Sequence, residues 1–278
     1  MFEPSDQPRV FGLGPGADFP RAFADGLIRR LANHPPDLAA RTTVFVNTRR
    51  MQDAVRNALM ENGARFLPQL HLVTDLANDP LPGIRPAVPK LRRILEVMRL
   101  VEALIARQPG IAPATAAFGL AEDLVALLAE MQDEGVSPDR LEDLTLAEDH
   151  AEHWQRSLQF LRIATGFTGA DAAADGGGRQ QIAVARLIED WHANIPSAPV
   201  IVAGSTGSRG TTMRLMLAVA ALPQGAVVLP GYDYDLPPRV WSTLSDTDPA
   251  AEDHPQYRFA ALRRAMGPVV MDIPVWSD

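Results

Sequence analysis

The stretch Val10–Asp25, VFGLGPGADFPRAFAD, decides how the rest of the chain is read. A short apolar run, Arg9–Leu13, leads into Gly12, Gly14 and Gly16. An amphipathic segment follows, with Phe19, Phe23, Leu27 and Ile28 on one side. Strand, glycine turn and helix in that order carry backbone N–H groups to a phosphate in many α/β domains. A P-loop of this kind reads G-x-x-x-x-G-K-[ST]; its lysine reaches the β and γ phosphates and its hydroxyl holds magnesium. Here Ala17, Asp18 and Phe19 stand where Gly-Lys would begin, and neither Gly14 nor Gly16 opens a register that reaches Gly-Lys. The one lysine of the chain, Lys90, follows Pro89 in another segment. An aspartate near the lysine's place repels a triphosphate. Gly12, Gly14 and Ala17 do fit the dinucleotide spacing G-x-G-x-x-[GA]. That fingerprint wants an acid at the end of the second strand for a ribose hydroxyl, and the second strand, Thr43–Val46, ends in Asn47 and Thr48.

Outward from this loop the pattern is β-α-β-α-β. Pro35 and Pro36 close the first helix. TTVFVNT is a β-branched and aromatic run, a buried strand. The helix MQDAVRNALMENG follows, with Met51, Val55, Ala58 and Leu59 on one face and Gly63 as its stop. RFLPQLHLV supplies a third strand at Leu70–Val73. Short links in this order predict a parallel sheet with right-handed crossovers. Prolines 80, 82, 86 and 89 then mark a boundary, and a helical stretch begins. Leu91, Ile94, Leu95, Met98, Val101 and Ile105 stripe one helix, with Arg92, Arg93, Arg99 and Glu102 outside. Phe118–Met131 is a second helix, with Leu120, Leu124, Leu127, Leu128 and Met131 inward. Thr145 and Glu148 have capping-box spacing ahead of a helix carrying Trp154, Leu158 and Leu161. Gly166–Arg179, glycine-rich and polar, reads as a mobile surface loop, and Val184, Leu187, Ile188 and Trp191 stripe a last helix. After Pro196 and Pro199 the α/β pattern returns: strand PVIVAG, helix Arg209–Leu222, strand GAVVLPG, helix His254–Met266 and strand PVVMDIPVW. The reading is an α/β parallel sheet interrupted by a helical insertion, with pieces 1–85 and 197–278 around a block at 86–196.

Bulk properties narrow the function. A chain of 278 residues suits one large or two modest domains, with roughly three quarters of its surface buried on folding. The N-terminal MFEPSDQPRV lacks a signal peptide's basic and apolar regions. The sequence contains no apolar run long enough for a membrane helix. Cysteine is absent, which removes disulfides, thiolate zinc sites and cysteine-held clusters from this chain. A cytoplasmic location and no membrane contact are expected. The net charge of −8 argues against tight autonomous nucleic-acid binding, because phosphate neutralisation supplies most non-specific affinity. A local basic groove remains compatible with it.

Four constellations could carry chemistry. GSTGSRGTT at Gly204–Thr212 looks like a phosphate loop, yet closes no G-x-x-x-x-G register and is followed by no lysine. A P-loop ATPase also needs an acid at the end of a second strand to hold magnesium, and here that strand ends in Ala203-Gly204-Ser205-Thr206. Both halves of an ATP site would thus be unable to do their work. Ser205 lacks the G-x-S-x-G spacing of a nucleophile elbow. His150 and His153, beside Asp149 and Glu152, could hold a divalent metal, but an acidic first helix turn explains them more simply, and no metal is assigned. Asp233 and Asp235 follow the fifth strand in LPGYDYD, well placed for catalysis or magnesium; turn formation is the simpler role. Asn47, Thr48, Arg49 and Arg50 join the second strand to its helix, where a helix N-terminus and two arginines could contact a phosphate backbone.

Taken together and in order, VFGLGPGADFPRAF, TVFVNTRRMQDAV, LRRILEVMRLVEALI, HWQRSLQFL, VIVAGSTGS, LPQGAVVLPGYDYDL and DHPQYRF resemble the alphaproteobacterial AddB family. Members are the second subunits of AddAB helicase–nucleases, which process double-strand DNA breaks for recombination. The resemblance implies a P-loop NTPase (RecA-like) first motor domain of superfamily 1 helicase type, bearing its helical insertion, as the N-terminal part of a longer subunit. It implies a degenerate motor with no bound cofactor, ATP turnover in an AddA-type partner, and contact with single- or double-stranded DNA. Carried over by position, Gly12, Gly14, Gly16, Ala17 and Asp18 stand at the degenerate Walker A loop. Ala203, Gly204 and Ser205 stand at the Walker B position, Asn47–Arg49 at a motif that touches single-stranded DNA, and Gly231–Asp235 near the following helicase motif. The family's C-terminal nuclease, with its cysteine-held iron–sulfur cluster, has no counterpart in this sequence, so no catalytic residue and no nuclease activity are expected. The rival reading is a small α/β enzyme or regulator that binds a dinucleotide or nucleotide at Gly12–Ala17, with Asp233 or Asp235 in catalysis.

Overall fold

The computed structural model describes the chain except residues 6, 62, 64, 79–81, 135, 137–173, 209, 245–248, 268–271 and 278. Two compact units emerge: Met1–Leu76 with Val184–Asp278, and Ala77–Ala183.

The first unit is built on one all-parallel sheet. Its strands are β1 (Val10–Leu13), β2 (Thr43–Val46), β3 (Gln69–Leu72), β4 (Val200–Ala203) and β5 (Gly225–Pro230). They lie in the order β1-β5-β4-β2-β3, so strands from before and after the helical stretch share a sheet. A parallel sheet needs cover on both faces, which is why its central strands read as unbroken apolar runs; all four residues of β4 are buried. Helices α1 (Phe19–Leu31) and α3 (Arg49–Met60) pack side by side. Their Phe23, Leu27, Val55 and Leu59 meet Val44, Val46, Ile201, Ala203 and Val228 of the sheet. The alternate residues Phe45, Val200, Val202, Val227 and Leu229 are also buried and face the other way. The crossovers β1→β2 and β4→β5 run in opposite directions along the sheet. Right-handedness therefore puts α7 (Gly210–Ala221), and α9 (Tyr257–Ala265) beside it, on the second face. This unit also holds the short helices α2 (Asp37–Arg41) and α8 (Pro238–Thr243).

Several boundaries depart from expectation. β3 starts at Gln69, whose N–H takes the Thr42 carbonyl at 2.8 Å, and Val73 already belongs to a 3₁₀ turn, Val73–Asn78. α9 starts at Tyr257 rather than His254, because Pro255 bars helical backbone at the residue before it; a 3₁₀ turn, Pro249–Asp253, precedes it. Within the described part of PVVMDIPVW, pairing is reduced to a parallel bridge of Val275 with Gly12. Gly12 donates to Pro274 O at 3.0 Å and accepts from Trp276 N–H at 2.9 Å.

In the second unit α4 (Lys90–Arg107) packs on α5 (Ala117–Asp133). Ile94, Val97, Val101, Leu104 and Ile105 meet Ala117, Ala121, Leu124 and Val125. This corrects the predicted faces. Leu91 is 60% exposed, Leu95 and Leu127 are 42% exposed, and Arg93 is buried at 7%. The helices meet along the small residues Ala117 and Ala121, which rotates both contact stripes, and Glu96 accompanies Arg93 inward with an ion pair at 3.5 Å. The reading of Gly166–Arg179 as a surface loop is also corrected. From Gly176 the chain is helical (α6, Gly176–Ala193), with Asp175 accepting the Gly178 N–H at 2.9 Å. Arg179 is buried because its guanidinium serves carbonyls of Ala77, Ile84 and Arg85. Residues 166–173, the Thr145–Glu148 capping box, the Trp154 helix and the His150–His153 pair lie outside the described residues.

Candidate nucleic-acid interface at the carboxyl edge of the sheet

Register brings Leu13, Pro230, Ala203, Val46 and Leu72 to one edge of the sheet. Every loop singled out in the first unit leaves from this edge, where ligands of open α/β sheets bind.

Gly12, inside β1, serves packing, whereas Gly14 and Gly16 stand in open space. A Cβ on Gly12 would lie 2.6 Å from the Tyr234 hydroxyl and 2.9 Å from Tyr232 Cβ, so this glycine makes room for tyrosines of the neighbouring strand's loop. Gly16 has φ +80°, a left-handed turn that glycine adopts without cost. Asp18 is the N-cap of α1, accepting the Arg21 N–H at 3.4 Å. The cap carboxylate thus takes a helix N–H that an anion would use, and adds negative charge at the same spot. Gly12→Ala should cost about 1–3 kcal/mol, the usual range for an overpacked methyl. Urea denaturation measures it; a loss below about 0.5 kcal/mol would show that Tyr234 does not need the space.

The end of β4 is closed by apolar side chains. Gly204 has φ +72°, and a Cβ there would stand 3.1 Å from Met51 Cε and 3.2 Å from Phe19 Cε1. Ser205, buried at 5%, accepts the Gly207 N–H at 3.3 Å in a local turn. Magnesium prefers oxygen ligands, carboxylates above all, and Ala203–Thr206 at this strand end carry hydroxyls but no carboxylate. Among the described residues no group of three or more His, Cys, Asp or Glu could hold a metal.

Asn47, Thr48, Arg49 and Arg50 follow β2. Asn47, Arg49 and Arg50 are exposed. Thr48 caps α3, accepting the Met51 N–H at 3.2 Å. Arg49 donates to Gln52 Oε1 at 3.4 Å and pairs with Asp75 at 3.7 Å. Arg50 makes no ion pair with any described residue. Two guanidinium groups therefore stand at the start of a twelve-residue helix, whose dipole favours phosphate in the same place.

Beyond β5, Gly231 turns with φ +66°. Asp233 accepts the Asp235 N–H at 3.0 Å and so closes an Asx turn. Gln256 locks this loop, donating to Gly231 O at 2.9 Å and accepting from Asp233 N–H at 3.1 Å. Tyr232, buried at 5%, stacks on Trp241 with centroids 5.3 Å apart and touches Tyr234 edge-on. Burial pushes its phenol above the ordinary tyrosine range, and Arg263 opposes that shift from 3.4 Å. Tyr234 remains 41% exposed.

Sequence reasoning missed Gln52, Asp75, Gln256 and the Tyr232–Trp241–Arg263 cluster. Asp75 had a usable signal, since it sits three residues past a parallel strand's carboxyl end. Gln256 had none, because it reaches the loop only through the second-face packing. No helix among the described residues is long and apolar enough to cross a membrane. No protein-family model matches the chain, and no curated protein sequence matches it.

Proposed function

We propose that this chain is a non-catalytic, RecA-like module of AddB type from a DNA-break repair helicase–nuclease, handling a DNA strand and docking an AddA-type motor subunit. One observation carries the reading. The two loops at the Walker A and Walker B positions leave the same sheet edge with a single strand between them, and neither carries the lysine or the magnesium-holding acid of a working motor. Asp18 caps the helix that follows the first, and Phe19 and Met51 pack beside Gly204 at the second. The arginines at Arg49 and Arg50 stand on that edge as the DNA-facing element. Their affinity alone is modest in a chain of net charge −8. Linkage to a neighbouring site on a motor partner would raise it through effective concentration.

Fluorescence anisotropy with labelled single-stranded DNA at several salt concentrations tests the reading. Weak, salt-sensitive binding is expected. Arg49→Ala with Arg50→Ala should weaken it equally for all sequences and flatten the salt slope by roughly 0.7 per lost phosphate contact. An unchanged slope would move the DNA path elsewhere. ATP turnover should stay below about 0.1 per second with or without DNA, against ordinary enzyme rates of 1–1,000 per second. Faster turnover that Gly16→Ala abolishes would overturn the inactive-motor half of the proposal.

A further inference from the structure

We infer that Asp75 is a tethered competitor of DNA phosphate for Arg49, an acid that neutralises the arginine until a strand displaces it. The inference rests on the DNA-handling reading above and names how that site is regulated.

The topology brings the two residues to neighbouring strand exits. Arg49 opens α3 directly after β2, and Asp75 lies in the 3₁₀ turn directly after β3. β2 and β3 are parallel neighbours with Val46 opposite Leu72, so their exits start side by side. The guanidinium is approached from two directions. Gln52, 6% exposed, is anchored by donating to Leu70 O at 2.7 Å and offers its Oε1 to Arg49 Nη1 at 3.4 Å. Asp75 Oδ2 stands 3.7 Å from Arg49 Nη2. Gln52 fixes where the arginine points; Asp75 supplies its resting counter-charge.

The pair is poised to exchange. The side chains are 70% and 47% exposed, so solvent and a phosphate can reach both. A single long contact of this kind is among the weakest ion pairs, whereas a charge-assisted hydrogen bond at a helix start is stronger. A phosphate oxygen therefore wins at low salt. While the strand is bound, Asp75 faces it as a like charge and speeds its release. Arg50 is held by no such acid among the described residues, so the two neighbouring arginines differ: one is gated and one is open.

Anisotropy with a fluorescein-labelled oligothymidylate and the full chain tests this. Asp75→Asn should tighten binding about threefold at low salt, the scale of an exposed ion pair. The salt slope should not change, since the number of phosphate contacts is unchanged. In an Arg49→Ala background the same substitution should have no effect, while in an Arg50→Ala background the tightening should persist. Unchanged or weaker binding by Asp75→Asn, with Arg49→Ala still costing affinity, would overturn the inference and leave the DNA reading standing. Tightening that survives Arg49→Ala would also overturn it, because Asp75 would then act only through general repulsion. Absence of salt-dependent binding in every variant would sink the DNA reading and the inference together.

Discussion

Trp276→Ala is expected to lower unfolding stability by about 3–5 kcal/mol, the range for removing a large buried aromatic. Trp276 is fully buried. It stacks on Phe23 at 5.5 Å, meets Phe11 edge-on at 5.2 Å, and donates its indole N–H to Phe23 O at 3.0 Å. Arg30 lies over the ring at 4.0 Å and donates to the Trp276 carbonyl at 2.6 Å. α1 is adapted to it, since any side chain at Gly26 would run into the indole. That glycine costs about 1 kcal/mol in a helix interior, and the docked ring offsets it. Denaturant unfolding followed by circular dichroism reads the loss. Trp276→Phe should recover much of it, lacking only the indole hydrogen bond and part of the area. A loss below about 1 kcal/mol for the alanine variant would mean that the Val275–Trp276 segment does not complete this core.

Gly225→Ala should be nearly as damaging, at or above the upper end of the 1–3 kcal/mol that overpacking usually costs, so about 3 kcal/mol. Gly225 opens β5, the strand paired with both β1 and β4. A methyl there would strike the Val219 carbonyl at the end of α7 and come within 2.8 Å of Leu222 Cβ. The obstacle is backbone and cannot rotate aside, so either α7 or the start of a central strand must shift. Gly231→Ala separates this from ordinary glycine strain. Gly231 has φ +66° but open space around its Cα, so its replacement should cost only the left-handed penalty of about 1–2 kcal/mol. Equal losses for the two variants would refute the steric account. The comparison needs only the two midpoints and slopes from urea melts.

The parallel strands were legible because burial on both faces leaves little choice of residue. TVFV and VIVA are apolar at every or nearly every position, and they form β2 and β4. The glycine-led turn and its amphipathic helix were legible for a similar reason, since Gly12, Gly14, Gly16 and the Phe19–Phe23–Leu27 spacing are local signals. The helical faces of α4 and α5 were not. Both helices carry more leucine than one stripe needs, and the buried stripe is chosen by where Ala117 and Ala121 allow close approach. Arg179 looked like loop because a charge among glycines usually is; its three carbonyl partners come from 94 to 102 residues earlier in the chain. For the candidate site, local sequence placed each loop at a strand's carboxyl end, because right-handed β-α links leave no other exit. The order β1-β5-β4-β2-β3 is a non-local outcome of strand pairing. It alone puts the Gly12–Asp18 and Gly204–Thr206 loops one strand apart and brings Asp75 beside Arg49, and no periodicity within either segment encodes that meeting.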